Sequence, residues 1–398
     1  MPDSGGATVL DDLPEWILVE EIFIRLPPRD IVRCRAVRKL WQSATSTDKF
    51  MLDHHRRQPF LPILSHVVEP QKTSLVLSFD ADAVQRRLCP VIRTLYSGIL
   101  EATCDGLLIV SHGATAHEFF ICNPVTRKCA PLRTPQNLLN YYYQIVGFYR
   151  HKPSGQYRVL WVSCPTNNTN HRTFYCVIAV GSDYTRQIGQ GCIRQPTSSS
   201  PSLELALRER LPGSSGYPPI DHRGSLHWTI VRYDRCDAGY IMVFKTADET
   251  FRLMCCPAQL PSQQLLLEID GTLALCGISS DRVTVDVWVV QDYDAEAWSF
   301  KHRIYLSGMD ESPFVDLKVP RMAVLSDGEL LIQFAPRHVV RCDIDGRFVE
   351  YVKSEEDQGK NLWLTRHRLQ ESLIPLPLSN EMQEGGAASV EPPFFIGL

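Results

Sequence analysis

The chain has 398 residues, 44% hydrophobic and 22% charged, with a formal net charge of −4. That balance is ordinary for a packed globular protein, and with no run of five or more basic residues it argues against nucleic-acid binding. No apolar stretch approaches the roughly 18 residues that cross a bilayer, and MPDSGGATVLDDLPEW lacks the charged start and apolar centre of a secretory signal.

A cytoplasmic or nuclear setting is therefore expected. Thirteen cysteines are scattered singly apart from Cys255–Cys256, and none forms a CxxC pair. An odd number without a signal peptide fits reduced, mostly buried thiols, and neither a metal site nor a cofactor is expected. Residues 1–10 are expected to be disordered.

From Leu13 to about Phe50 the pattern is helix, turn, helix, turn, helix. Leu13–Pro14 suits a first helical turn. Leu18, Ile22 and Leu26 then recur at four-residue steps, with Ile17 and Phe23 widening the stripe. Pro27 and Pro28 are expected to stop that helix. A second helix, Arg29 to about Ala36, is expected to bury Ile31 and Val32 and to display Arg33 and Arg35. A third starts near Arg38 and carries Trp41.

Leu13–Pro14, Arg25-Leu26-Pro27, Cys34, Val37, Lys39, Trp41, Phe50 and His54 together resemble an F-box, closest to those of plant proteins. The resemblance places the F-box at residues 11–55 and implies docking on a Skp-type adaptor and, through it, a cullin. Leu13, Pro14, Ile17, Ile22, Leu26, Pro27, Ile31, Val37 and Trp41 would supply the adaptor-facing or head-core surface. One departure stands out: PEWILVEEIFI is one residue longer than usual, which in a helix rotates later residues by about 100°.

DHHRRQPFLPIL reads as a charged segment running into prolines, with a linker at 56–63. Beyond it more than a dozen short runs rich in Val, Ile, Phe, Tyr and Trp, bounded by turn formers, read as strands. They exclude a doubly wound α/β fold and leave a sandwich, a barrel or a propeller.

Four times a strand is approached through glycine, at Gly106, Gly224, Gly271 and Gly328, and most of these are followed by a strand, a polar turn and a further strand. Where consecutive, these units stand roughly fifty residues apart, the period of a kelch-like β-propeller. The longer gap from Gly106 to Gly224 leaves room for another blade. An irregular double sheet is the competing architecture. CDGLLIV, CNPVTRK, GFYRHKPSGQYRVLWV, GSLHW, IMVFKTADETFRLMCCP and VDVWVVQDYDAEAWSF, in that order, resemble the F-box-associated domain of plant proteins. That resemblance implies a kelch-like, propeller-type domain over residues 64–375 with a substrate-receptor role. The strands near SLVLSF are expected to complete a blade with C-terminal ones, because closure protects edges.

Within this region Asn123-Pro124-Val125-Thr126 reads as a turn. Trp228, Trp288 and Trp298 read as blade-packing aromatics. His222 and His227, five apart, fall on opposite faces if they share one strand. Asp292, Asp294 and Glu296 read as a solvated hairpin tip. No dinucleotide fingerprint, P-loop, nucleophile elbow or HExxH is present, so no catalytic residues are assigned. Loop aromatics make Tyr141, Tyr142, Tyr143, Tyr217 and Asp221 the target-binding candidates. Gln195 to Ser202 reads as a mobile polar loop, Asn361 to Ile374 as a short helix, and 376–398 as a disordered tail. The expected function is a non-catalytic substrate receptor of a Skp–cullin–F-box ubiquitin ligase. A propeller enzyme or glycan binder with a helical head, and an F-box protein acting outside a ligase, are the alternatives.

Overall fold

A computed structural model describes residues 13–68, 73–79, 88–94, 98–112, 118–135, 141–165, 173–188, 203, 207, 211, 216–229, 240–257, 263–279, 284–305, 321–325, 328–335, 338–352, 362–377 and 393–395. The stretches expected to be disordered or mobile at 1–10 and 195–202 lie outside these residues.

The head opens with a single turn at Glu15–Trp16 and continues as a π-helix over Ile17–Ile22. There the Phe23 N–H reaches back to Leu18 as well as Val19. A 3-10 turn, Phe23–Arg25, ends at an extended Leu26, as the residue before a proline favours. Pro28 does not end this helix. It opens the next, α1 (Pro28–Val37), at the first position where no N–H is needed. Ile31 is fully buried, but Val32 is 36% exposed. Arg35 is not displayed either: its guanidinium turns inward onto Thr45 Oγ1 (3.0 Å) and the Thr45 carbonyl (2.5 Å).

Helix α2 (Lys39–Thr45) carries Trp41, whose ring packs edge-on against Phe23 at 5.2 Å. The segment expected as a charged linker begins as a further helix, α3 (Asp48–Arg57), capped by Thr47, whose hydroxyl accepts from the Phe50 amide. His54 and His55 on α3 are buried because each has a backbone acceptor. His54 Nε2 donates to the Leu26 carbonyl (2.8 Å), and His55 Nδ1 to that of Glu371 (3.1 Å).

The remainder is a six-bladed β-propeller of four-stranded antiparallel sheets. Strands β1 (Leu61–Val68), β2 (Thr73–Phe79) and β3 (Leu88–Thr94) come first. The first complete blade is β4 (Leu100–Cys104), β5 (Leu107–His112), β6 (Glu118–Asn123) and β7 (Lys128–Leu132). The second is β8 (Tyr141–Arg150), β9 (Tyr157–Pro165), β10 (Phe174–Ala179) and β11 (Thr185–Gln187), filling the long gap between Gly106 and Gly224. The third is β12 (Ile220–His222), β13 (Ser225–Thr229), β14 (Tyr240–Lys245) and β15 (Thr250–Cys255); the fourth is β16 (Gln263–Ile269), β17 (Thr272–Ile278), β18 (Thr284–Asp292) and β19 (Ala297–Tyr305). The fifth is β20 (Arg321–Val324), β21 (Leu330–Ala335), β22 (His338–Cys342) and β23 (Phe348–Val352).

The sixth blade closes the ring. Its inner strand is β24 (Leu362–Leu369), which pairs with β1 through Leu61↔Leu369 and Leu64↔Leu364, while β2 and β3 lie outside. The helix expected at 361–374 is therefore a closing strand followed by extended chain, and the linker's last residues already belong to β1.

The recurring glycines follow the inner strand and lead into the second. Asp105–Gly106, Arg223–Gly224 and Asp270–Gly271 all have positive φ at both residues, the tight-hairpin pattern that glycine makes possible. At Gly106 there is a second reason: an added Cβ would lie 2.6 Å from Ser372 Cβ and 2.7 Å from the Gln370 carbonyl. Cys122 and Cys129, facing each other on β6 and β7, form a disulfide, contrary to the expectation of reduced thiols throughout. Part of the expected tail is also packed. Leu376 is buried, and Phe394 sits against His112 and Phe120.

One apolar cluster joins head and propeller. Leu18, Phe23, Ile31, Trp41, Phe50 and Met51 are continuous, through Leu373, Ile374 and Leu376, with Ile109, Ile121 and Trp161 of the first two blades.

Candidate functional site

The extra residue in the first helical segment is taken up locally. A π-turn bonds five residues back rather than four, so it absorbs one residue without rotating the later ones. Glu20 and Glu21 are exposed within it, while Phe23 and Ile24 beyond it are buried. Of the nine head residues singled out, Ile31 and Trp41 form core. Leu13, Ile22 and Leu26 pack half-buried against it, and Ile17 is also half-buried. Pro14, Pro27 and Val37 are exposed, Val37 by 66%. Trp16 (59% exposed), Val32 and Leu40 (56%) are further outward apolar side chains. Sequence reasoning missed them: Val32 was placed inward by helical spacing, and Trp16 and Leu40 lie outside the apolar stripe.

The inner strands run in one sense around the channel, and their ends at Cys104, Arg150, His222, Ile269 and Leu369 face the head. The head caps this mouth in part. His55 Nε2 stands 3.6 Å from Asp105, and Gln370 Nε2 donates to the Gln58 carbonyl (2.8 Å). Here a cavity of about 230 Å³ is walled by His55, Asp105, Asp221, Glu268, Arg366 and Arg368, among others.

Three carboxylates thus converge at the channel axis, and their partners differ. Glu268 accepts from Arg368 at 2.5 Å, from the fourth blade to the sixth. Burial alone would raise Asp105, but His55 close by and a hydrogen bond from the Tyr157 hydroxyl (2.9 Å) hold it below the usual carboxylate range. Asp221 opens to the water of the mouth yet is walled by protein. Burial, with the charge of Asp105, pushes its carboxyl up to about 6.

A family model described as the F-box associated beta propeller domain matches residues 63–365. The chain belongs to that family. An F-box protein of Arabidopsis thaliana is 24% identical over 297 residues, covering 71% of this chain and 67% of the relative. A second Arabidopsis F-box protein is 29% identical over 174 residues, or 38% of this chain and 43% of its own length. Among solved structures, an acylaminoacyl peptidase of Pyrococcus horikoshii aligns with a TM-score of 0.35 at 11% identity, covering 73% of this chain and 44% of that one. A likeness that low carries no argument about function.

In this F-box-associated propeller the target-binding candidates are not gathered in loops. Tyr141, Tyr142 and Tyr143 open β8, at the end of the channel away from the head, and Tyr142 and Tyr143 are half-buried. Tyr217 lies within the channel just ahead of β12, and Asp221 lies on β12 at the head-side mouth. Tyr217 and Asp221 share a wall; the tyrosine triplet stands apart from Asp221.

His222 and His227 are not on one strand. The Arg223–Gly224 turn folds the chain back, so their rings lie 6.2 Å apart and both rest on Tyr293. His227 Nδ1 donates to the Ile220 carbonyl, its Nε2 accepts from the Tyr293 hydroxyl, and burial pushes its pKa down to about 4. The acidic tip does more than face solvent. Glu296 accepts from Arg252 (2.6 Å) and from the Cys255 amide (2.8 Å), tying the fourth blade to the third. Trp228 does the same for the second and third blades, donating to the Val146 carbonyl. Asn123 is both a turn former and a clamp: its amide also holds the carbonyls of Ser372 and Ile374.

Proposed function

We propose that this chain is the substrate-recognition subunit of a Skp–cullin–F-box ubiquitin ligase. The head docks on a Skp-type adaptor and thereby joins a cullin; the propeller holds a target protein. The observation that carries this reading is the joining of an F-box-associated propeller to a helical head whose Pro14, Trp16, Val37 and Leu40 remain exposed. Large apolar side chains left outward on a small helical module are what a protein interface uses.

The chain itself carries out no bond chemistry in this scheme. Its contribution is proximity, because a target held on the propeller meets the conjugating enzyme as if tethered to it. Because the head is seated on the propeller rather than strung from it, the target would be presented at a set distance and orientation. A cytoplasmic or nuclear location follows from the partners.

Affinity purification of the tagged full chain tests this. Recovery of both adaptor and cullin supports the ligase role. Adaptor without cullin supports a role outside a ligase, and recovery of neither refutes the proposal.

A further inference from the structure

We infer that the propeller channel contains a subsite for a single anionic group, a carboxylate or a phosphate, seated on Arg366. Arg366 lies on the closing strand, and its guanidinium reaches across the channel to lie over the Tyr217 ring, 4.4 Å from the centroid. It lines both the 230 Å³ mouth cavity and a narrower recess beside it, where Tyr217, Trp228 and Met322 form part of the wall.

The side chain is in the wrong company for a structural arginine. Its Nε is buried without a hydrogen-bond partner, and no carboxylate pairs with it among the described residues. Arg368, two residues on, is matched by Glu268, and the buried Arg341 of the fifth blade is held by Glu329 and Glu350. Arg366 instead has a second cation nearby. Burial, with the charge of Arg321, pushes its pKa down to about 10. A guanidinium partly withdrawn from water, with its Nε buried and no counter-charge, is costly, and contact with an aromatic face offsets only part of that cost. An incoming anion would supply the missing partner, and a guanidinium pairs with carboxylate or phosphate through two parallel bonds.

The surroundings narrow the ligand. Glu268 is taken up by Arg368, and Asp105 by His55 and Tyr157. Asp221, raised by burial and by Asp105, disfavours a second anionic group at the mouth, so the fitting molecule carries one anionic group and a neutral or cationic remainder. The cavity admits a small molecule or one extended side chain, not a folded surface. The subsite does not depend on what the head docks on, so either proposal can fail alone.

The test is titration of the full chain with inorganic phosphate and with acetate, against chloride at equal ionic strength, read by calorimetry and by melting temperature. Phosphate or acetate should raise the melting temperature, and Arg366→Gln should weaken binding by at least about tenfold, which is about 1.4 kcal/mol. Arg366→Lys, which keeps the charge, should retain part of the binding. Without added anion Arg366→Gln should melt no lower than the parent, because an uncompensated charge has been removed. Short peptides bearing one phosphoserine, or a free C-terminal carboxylate, identify the source: tighter binding than free phosphate or acetate assigns the group to a target, equal or weaker binding to a small molecule. No response beyond that to chloride, or a response unchanged in Arg366→Gln, overturns the inference.

Discussion

Asn123 offers a direct test of how the propeller seats the head. Its side chain is fully buried at the bend between β6 and β7. Oδ1 accepts from the amides of Val125 (2.9 Å) and Thr126 (3.1 Å), and Nδ2 donates to the carbonyls of Ser372 (3.1 Å) and Ile374 (2.7 Å). Asn123→Ala strands two donors and two acceptors. A neutral hydrogen bond is worth about 1 kcal/mol net, and more where the abandoned partner stays buried, so the loss should be roughly 4 kcal/mol. Asn123→Asp keeps the acceptor but sets a carboxylate against two carbonyls, and should cost at least as much. Urea unfolding of the full chain, followed by tryptophan fluorescence, measures the change. Because Leu373 and Ile374 carry the head's apolar seat, proteolysis within 370–377 should also quicken. A loss below about 1 kcal/mol would refute the clamp.

Three further outcomes are expected. Deleting Glu20 should convert the π-turn to an ordinary helical turn and leave thermal stability and adaptor binding intact; a tenfold loss of binding would show that the bulge itself is needed. Val37→Asp with Leu40→Asp should weaken adaptor binding by more than about tenfold while the melting temperature holds, since both side chains are exposed. Calorimetry that finds unchanged affinity would move the interface elsewhere. His227 is kept neutral, with its pKa lowered from 6.5 to about 4. Its contribution is therefore complete above about pH 6.5 and is lost as pH falls towards 4, by roughly 3 kcal/mol. His227→Gln should flatten the pH dependence of unfolding relative to the parent in that window, and an equally steep profile would contradict the assignment.

Local pattern was enough for most blades. Runs such as VDVWVVQD announce strands because their residues suit a pleated, half-buried surface, and paired turns such as Asp270–Gly271 fix the hairpins. What local pattern could not show was pairing between distant segments. Leu362, Leu369 and Leu373 have helical spacing, yet the segment is a strand because β1, some 300 residues earlier, awaits a partner. Similarly, His54 and His55 read as part of a charged segment, and their burial is explained only when the carbonyls of Leu26 and Glu371 are brought to them. The tyrosine triplet was assigned to a loop by its aromatic content, although three aromatics in succession are equally at home on an inner strand. Arg366 gave no signal at all: an arginine on a strand is ordinary until its neighbours across the channel are known.

The closing strand also sets an order of events during synthesis. The helices and the three outer strands of the last blade are made first, but β24 and the 370–377 segment beneath the head are made some three hundred residues later. Contacts so far apart in sequence are slow to form. A nascent chain therefore leaves the ribosome with an open sheet edge on β1 and an unseated head, both surfaces that invite chaperones. A product cut short before β24 would lose ring closure and head support together. The head of such a fragment could not stand as a substitute for the whole, so a premature stop late in the chain should behave as a loss of function rather than as a competitor for the adaptor.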